Sequence, residues 1–191
     1  MRRPTLSFLS ILSISAVTLI AGSPAPFSLG KDYSVEMLTT IQGMETKTIM
    51  HVSGDKIRTE STVMGMQNIA ILRKDKDIMW VVMPAQKTYM EMPLPKNTAV
   101  GTPDPNAKWE KIGDEAVDGK PAEKWKSTMQ QGGQEAVMFY WIDKTTKLPL
   151  KAEMSGMVTY WKNYNEGAQD ASLFELPAGY KKMEMPGMPA K

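Results

Sequence analysis

The sequence predicts a mainly β domain: a strongly curved antiparallel sheet, or incomplete β-barrel, of about 10–11 strands with few or no long helices. Three observations carry this reading. Turn signals recur roughly every 8–12 residues, the spacing of consecutive short strands. Two runs, Ile78–Met83 (IMWVVM) and Ala136–Ile142 (AVMFYWI), are apolar on both alternating faces and too short for buried helices. Each is therefore a strand that needs cover on both sides. No stretch of ten or more residues carries an amphipathic helical pattern, and Gly167–Phe174 has room for only a turn or two.

The elements follow in order. Asp32–Gln42 alternates, with Tyr33, Val35, Met37, Thr39 and Ile41 on one side and Ser34, Glu36, Leu38, Thr40 and Gln42 on the other, as a half-buried strand does. Gly43 punctuates, and Glu45–Ser53 is the second strand. Gly54-Asp55 supplies turn chemistry before Lys56–Val63, whose Lys56, Arg58, Glu60 and Thr62 face outward. Gly65 breaks the chain again ahead of Asn68–Leu72. The charged cluster Lys74–Asp77 leads into Ile78–Met83, which Pro84 ends. Thr88–Met92 places Met90 and Met92 on one face, Tyr89 and Glu91 on the other.

Pro93–Ala107 is rich in Pro, Gly and Asn and reads as a long surface loop between two half-sheets. From Trp109 the pattern resumes. Asp118-Gly119 is a hairpin signal, and Pro121 suits the start of a strand. Glu123–Gln130, the turn Gln131–Gln134, Ala136–Ile142, the polar turn Asp143–Lys147, Pro149–Met154 and Met157–Tyr164 follow, and Phe174–Pro177 closes the domain. Consecutive strands pair antiparallel. Ile78–Met83 and Ala136–Ile142 are then candidates for opposite walls of one apolar space.

The ends differ from this domain. Arg2 and Arg3, the apolar stretch Leu6–Ile20 and the small residues Ala21, Gly22, Ser23 and Ala25 make Met1–Ser28 a secretory signal peptide by pattern. Its apolar core is shorter than the roughly 20 residues of a membrane span. Cleavage after Gly22, Ser23, Ala25 or Ser28 fits the small-residue rule. Residues 29–180 form the domain, and residues 181–191 a flexible tail rich in Met and Pro. The expectation is export across the inner membrane to the periplasm, with no transmembrane span once the leader is removed.

Composition excludes several functions. The 191 residues hold 23 basic and 21 acidic side chains, and losing Arg2 and Arg3 with the leader leaves 21 of each. A neutral domain lacks the basic footprint of a nucleic-acid binder. There is no Cys, which removes disulfides, thiol catalysis, thiolate metal sites and an N-terminal lipid-modified Cys. His51 is the only histidine and sits between Met50 and Val52 on a strand, where a half-exposed structural imidazole is the expected role. No nucleophile elbow, phosphate loop, zinc-protease motif or dinucleotide fingerprint occurs. Carboxylates lie beside Lys, as in Lys74–Asp77, in the manner of solvated turns. The sequence points away from an enzyme and implies no cofactor.

Methionine is the compositional oddity, with 17 in the chain and Met-x-Met pairs at Met64/Met66, Met90/Met92 and Met183/Met185. Two uses fit. Thioethers are soft ligands for Cu(I), and the tail residues Met183, Met185 and Met188 are the metal candidates. Alternatively, flexible thioether chains make an adaptable apolar lining. Met37, Met90, Met92, Met138, Met154 and Met157, with Trp80, Trp125, Trp141 and Trp161, are then the candidates for the concave side of the sheet. That side holds either a filled core or an apolar ligand.

A family resemblance rests on Asp32-Tyr33, Gly54–Arg58, Met64-Gly65, Ile78–Pro84, Lys87–Glu91, Trp141–Asp143, Leu148–Lys151 and Leu173–Pro177. In this order they resemble small exported domains of unknown function grouped with the outer-membrane lipoprotein carriers (LolA-like). The resemblance spans nearly all of the domain. It implies an incomplete β-barrel around an apolar cavity that takes acyl chains, which in the carriers is lidded by helices; no lid helix is evident here. Gly54, Arg58, Trp80, Tyr89, Trp141 and Pro149 match as framework positions, and no catalytic role carries over. The functional expectation is an exported, non-catalytic binding protein for an acyl chain, lipid or lipoprotein. The alternatives are a periplasmic copper-binding protein and an envelope sensor or interaction domain that recognises envelope proteins.

Overall fold

The computed structural model describes residues 24–63, 65–94 and 103–183, without the side chain of Gln131. Most of the leader, the middle of the Pro93–Ala107 loop, Met64, Met185 and Met188 lie outside the described residues.

The described chain forms one open sheet. Its strands are β1 (Asp32–Ile41), β2 (Met44–Ser53), β3 (Lys56–Val63), β4 (Met66–Arg73), β5 (Ile78–Met83), β6 (Thr88–Pro93), β7 (Lys108–Val117), β8 (Lys120–Gln131), β9 (Gln134–Asp143), β10 (Pro149–Met154), β11 (Met157–Glu166) and β12 (Lys181–Lys182). The spatial order is β12-β6-β5-β4-β3-β2-β1-β11-β10-β9-β8-β7. Two meanders, β1 to β6 and β7 to β11, are joined where β11 pairs antiparallel with the free side of β1. β12 is the exception, a two-residue strand parallel to β6. Its two residues open the stretch expected to be a flexible tail, and they close one edge of the sheet. The sheet does not close on itself, since β12 and β7 are its two edges. The sequence expectation of an incomplete, curved β-barrel holds.

Local chemistry explains the turns. Gln42-Gly43, Asp118-Gly119 and Ser155-Gly156 each have positive φ at both positions. That is the two-residue reversal whose twist matches the flanking strands, and Gly serves its second position. Bulges interrupt the registers at Ser34/Glu36, Lys111/Gly113 and Pro149/Lys151. Such insertions bend a strand and add twist, the means by which a long sheet curves. β7 leaves an unpaired edge, protected by its charges Lys108, Glu110, Lys111, Asp114 and Glu115.

Both faces of the sheet carry apolar clusters, which answers how the doubly apolar strands are covered. On one face Ile69, Ile71, Trp80 and Val82 pack beneath Phe174, with Leu173, Leu176 and Tyr180 around them. The covering segment is a 3₁₀ turn at Ala171–Phe174, capped by Asp170, whose carboxylate accepts from the Ser172 N–H at 2.9 Å. Phe174 is 1% exposed. Arg58 and Arg73 donate to the carbonyls of Leu173 and Phe174 at 3.1 and 3.2 Å, which satisfies the backbone of a segment too short to satisfy itself. His51 Nδ1 lies 2.8 Å from Gln169 Oε1 on the same face. This is the reverse face. The other is built largely of methionine and aromatic side chains.

Candidate functional site

Residues directly opposite on neighbouring strands share a face, so the register identifies the methionine face residue by residue. Leu72 opposes Met79, which opposes Met92, and Val81 opposes Met90. Met37 opposes Trp161 across the β1–β11 junction. Ala152 opposes both Thr159 and Tyr140, and Met154 opposes Met157. Tyr140 opposes Trp125, and Met138 opposes Ser127, which opposes Trp109. Eight of the ten sequence candidates thus share one face: Met37, Met90, Met92, Trp125, Met138, Met154, Met157 and Trp161.

Trp80 and Trp141 lie on the reverse face. Trp80 is buried with Phe174 and donates its indole N–H to Glu91 at 3.0 Å, which is the first cause of that carboxyl's lowered pKa. Trp141, 1% exposed, packs with Val117 and Ala122. Lys124 and Lys151 stand directly opposite it on the flanking strands, with their ammonium nitrogens 4.6 and 4.3 Å from the ring centroid. Among the described residues the Trp141 indole N–H has no well-aligned hydrogen-bond partner. It nevertheless lies against Glu115, and with Lys124 holds that carboxyl below its ordinary value. The physical reason for the split is the period of a strand. Trp80 is one residue from Met79, and Trp141 one from Tyr140, so each points the other way.

The methionine face is apolar at its floor. Tyr33, Val35, Met50, Val52, Ile57, Leu72 and Leu94 form one buried cluster, against which Met37, Met79 and Trp161 pack half-buried. A second cluster joins Phe27, Ala107, Trp109 and Ile142, with Trp125, Met129 and Tyr140 against it. Burial pushes Tyr33 up to about 12, with Tyr164 adding to the effect, and raises Tyr140 by burial alone. Such shifts mark phenols held in apolar surroundings. Ser127 lies at 0% exposure between Trp109 and Met138, with a hydroxyl that has no partner among the described residues. Towards the hairpins Gln42-Gly43 and Ser155-Gly156 the face becomes hydroxylic: Thr39 pairs with Thr159 at 3.0 Å and Thr48 with Ser61 at 2.8 Å.

Sequence reasoning missed an aromatic residue of the second cluster. Phe27, which the leader pattern absorbs, is 9% exposed and sits 5.9 Å from Trp109 and 5.5 Å from Tyr140 between ring centroids. Leu29, two residues on, packs against both clusters. The available signal was an aromatic residue after Pro24-Ala25-Pro26, beyond the apolar core of the leader. Trp109, Tyr140 and Met79 also belong to this face, to which the register assigns them.

Among the described residues no group of three or more His, Asp or Glu could hold a metal ion. Met183 is exposed beyond β12, its N–H bonded to the Tyr89 carbonyl at 2.8 Å. The arrangement defines a class: an open antiparallel sheet with a broad, half-exposed methionine and aromatic face.

The family model described as "Domain of unknown function (DUF4412)" matches residues 33–148, more than half of the chain, and the chain belongs to this family. No curated protein matches it. A solved structure of an uncharacterized conserved protein from Thermus thermophilus is similar at 14% identity and a TM-score of 0.60, over 81% of this chain and 91% of that one. It shows the fold. LprF from Mycobacterium bovis is similar at 13% identity and TM-score 0.45, over 78% of this chain and 90% of that one. A LolA superfamily protein from Nitrosomonas europaea is similar at 10% identity and TM-score 0.39, over 78% and 92%.

Proposed function

We propose that the methionine face holds an apolar chain, an acyl group or a lipid, and that the protein is an exported, non-catalytic carrier or binder acting in the periplasm. One observation carries the reading: Met37, Met79, Met90, Met92, Met138 and Met154 are all half-buried on one continuous face. A collapsed core buries such side chains fully. A face kept partly open and lined with flexible thioethers can mould itself to guests of irregular shape. Burying it under a ligand is favourable by about 25 cal/mol per Å² of apolar surface. The buried hydroxyl of Ser127 and the Thr39–Thr159 pair offer polar points for a carbonyl or headgroup oxygen.

The test is native mass spectrometry, with solvent extraction, of protein purified from a cell-envelope fraction. Co-purifying lipid that is lost from a Met90→Asp, Met138→Asp variant is the expected result. Protein that is lipid-free on repeated purification and takes up no fluorescent fatty acid overturns the proposal.

A further inference from the structure

The two ends of the sheet differ in chemistry. At one end the turns are charged: Asp55 and Lys56, Lys74–Asp77, Asp118 and Lys120, and Asp143 with Lys144 and Lys147. At the other end lie Gln42-Gly43, Gly65, Pro84–Lys87, Gly132-Gly133 and Ser155-Gly156, where Lys87 is the one charged turn residue among those described.

This end, whose turns hold one charge and whose strand ends add Glu45, Glu135, Lys181 and Lys182, is where apolar side chains are exposed. Of the six large apolar residues strongly exposed among the described residues, four sit on two neighbouring hairpin tips: Ile41 (46%) and Met44 (61%), Val63 (41%) and Met66 (66%). Ile41 opposes Met44, and Val63 opposes Met66. A third tip completes the row, because Ile41 also opposes Met157, which opposes Met154. Alternation from Met37, Met50, Ile57 and Leu72 places all of these on the methionine face, of which they are the outer margin.

We infer that this rim of hairpin tips docks the protein onto a lipid bilayer, with Ile41, Met44, Val63 and Met66 entering the interface. Exposed apolar residues scattered over a surface need no explanation, but a row gathered on two neighbouring hairpin tips does. Four exposed side chains on two tips are far fewer than the roughly 20–30 residues a side of a standard protein interface, which disfavours a second copy as the occupant. Flexible apolar side chains carried on tight turns suit a fluid interface, where no shape match is required. The rim is continuous with the candidate ligand face and goes beyond that reading, since it stands on the exposure of the tips alone. If both hold, the docked end is where a chain passes from bilayer to protein.

The chain has no Cys, so single-cysteine variants accept an environment-sensitive fluorophore at one site. Labels at Met44→Cys and Met66→Cys should shift to the blue on adding phosphatidylcholine or phosphatidylcholine–phosphatidylglycerol vesicles, while a label at Thr145→Cys, on the charged end, should not. The variant Ile41→Ser, Met44→Ser, Val63→Ser, Met66→Ser should partition into vesicles about tenfold or more weakly, yet keep its thermal midpoint. No shift with either vesicle, an equal shift at Thr145→Cys, or a shift that follows protein concentration without vesicles overturns the inference. Vesicle docking by protein that takes up no fatty acid upholds the inference while removing the ligand reading.

Discussion

Arg73 and Glu175 lie 102 residues apart, and the Arg73 Nη1 donates to Glu175 Oε1 at 2.7 Å. The same guanidinium grips Asp75 through Nε at 2.8 Å and Nη2 at 2.7 Å, and holds the Phe174 carbonyl at 3.2 Å. The Arg73 side chain is 5% exposed, whereas Glu175 is 54% exposed. The value of the cluster therefore lies in satisfying a buried cation and pinning the covering segment, more than in the exposed ion pair. Arg73→Met should cost about 2 kcal/mol and Glu175→Gln well under about 1 kcal/mol, read from denaturant midpoints.

The same cluster sets an acid dependence. Arg73 holds the Asp75 carboxyl below its ordinary value of 3.8, first by hydrogen bonding and further by its charge. A carboxyl with a depressed folded pKa stabilises fully above its unfolded value, and the contribution fades as pH falls through the folded one. The loss should therefore set in below pH 3.8 and be blunted in Arg73→Met, as unfolding curves across an acid series would register. An unchanged slope would show that Asp75 is not the group responsible.

Tyr33 gives the alkaline counterpart. Its phenol is pushed from 10.0 to about 12 by burial, then by Tyr164, whose ring centroid is 5.3 Å away. The neutral form is favoured in the fold, so this stabilisation is complete below pH 10.0 and is lost as pH rises towards about 12. Phenolate absorbance should show late-titrating tyrosines, one of which is missing in Tyr33→Phe.

Phe27 predicts where the folded chain must begin. Its ring closes an aromatic group with Trp109 and Tyr140, so truncating it costs about 3 kcal/mol, the low end for a core aromatic because it sits on a terminal segment. A chain beginning at Leu29 should melt lower than one beginning at Pro24, and Phe27→Ala should reproduce the difference. On the proposed export, N-terminal sequencing of the mature protein should find Phe27 retained, with the cut after Gly22, Ser23 or Ala25.

Trp141 is predicted to be structural. Trp141→Ala should cost about 3–5 kcal/mol through loss of a buried ring. Removing one flanking cation, as in Lys151→Met, should cost no more than about 1 kcal/mol, because the ammonium is partly solvated and Lys124 remains. Fatty-acid uptake should survive Lys151→Met, since that side chain is on the reverse face, and fall in Met92→Asp.

Much of this was legible in the chain. Within each strand, alternation determined which side chains travel together: Met90 with Met92, and Tyr33 with Val35 and Met37. Gly and Asp-Gly signals located the reversals, and flanking charges bounded Ile78–Met83. The tertiary structure decided what alternation cannot. A strand apolar on both sides, such as β5 or β9, bears no mark saying which side faces which neighbour, because a shift of one residue exchanges them. Pairing β1 with β11, far apart in sequence, gathered Met37 and Trp161 on one face, and the registers of β5 and β9 put Trp80 and Trp141 on the other. The place of Phe27 likewise depended on partners over 80 residues away, Trp109 and Tyr140, whose positions are set by the assembled sheet.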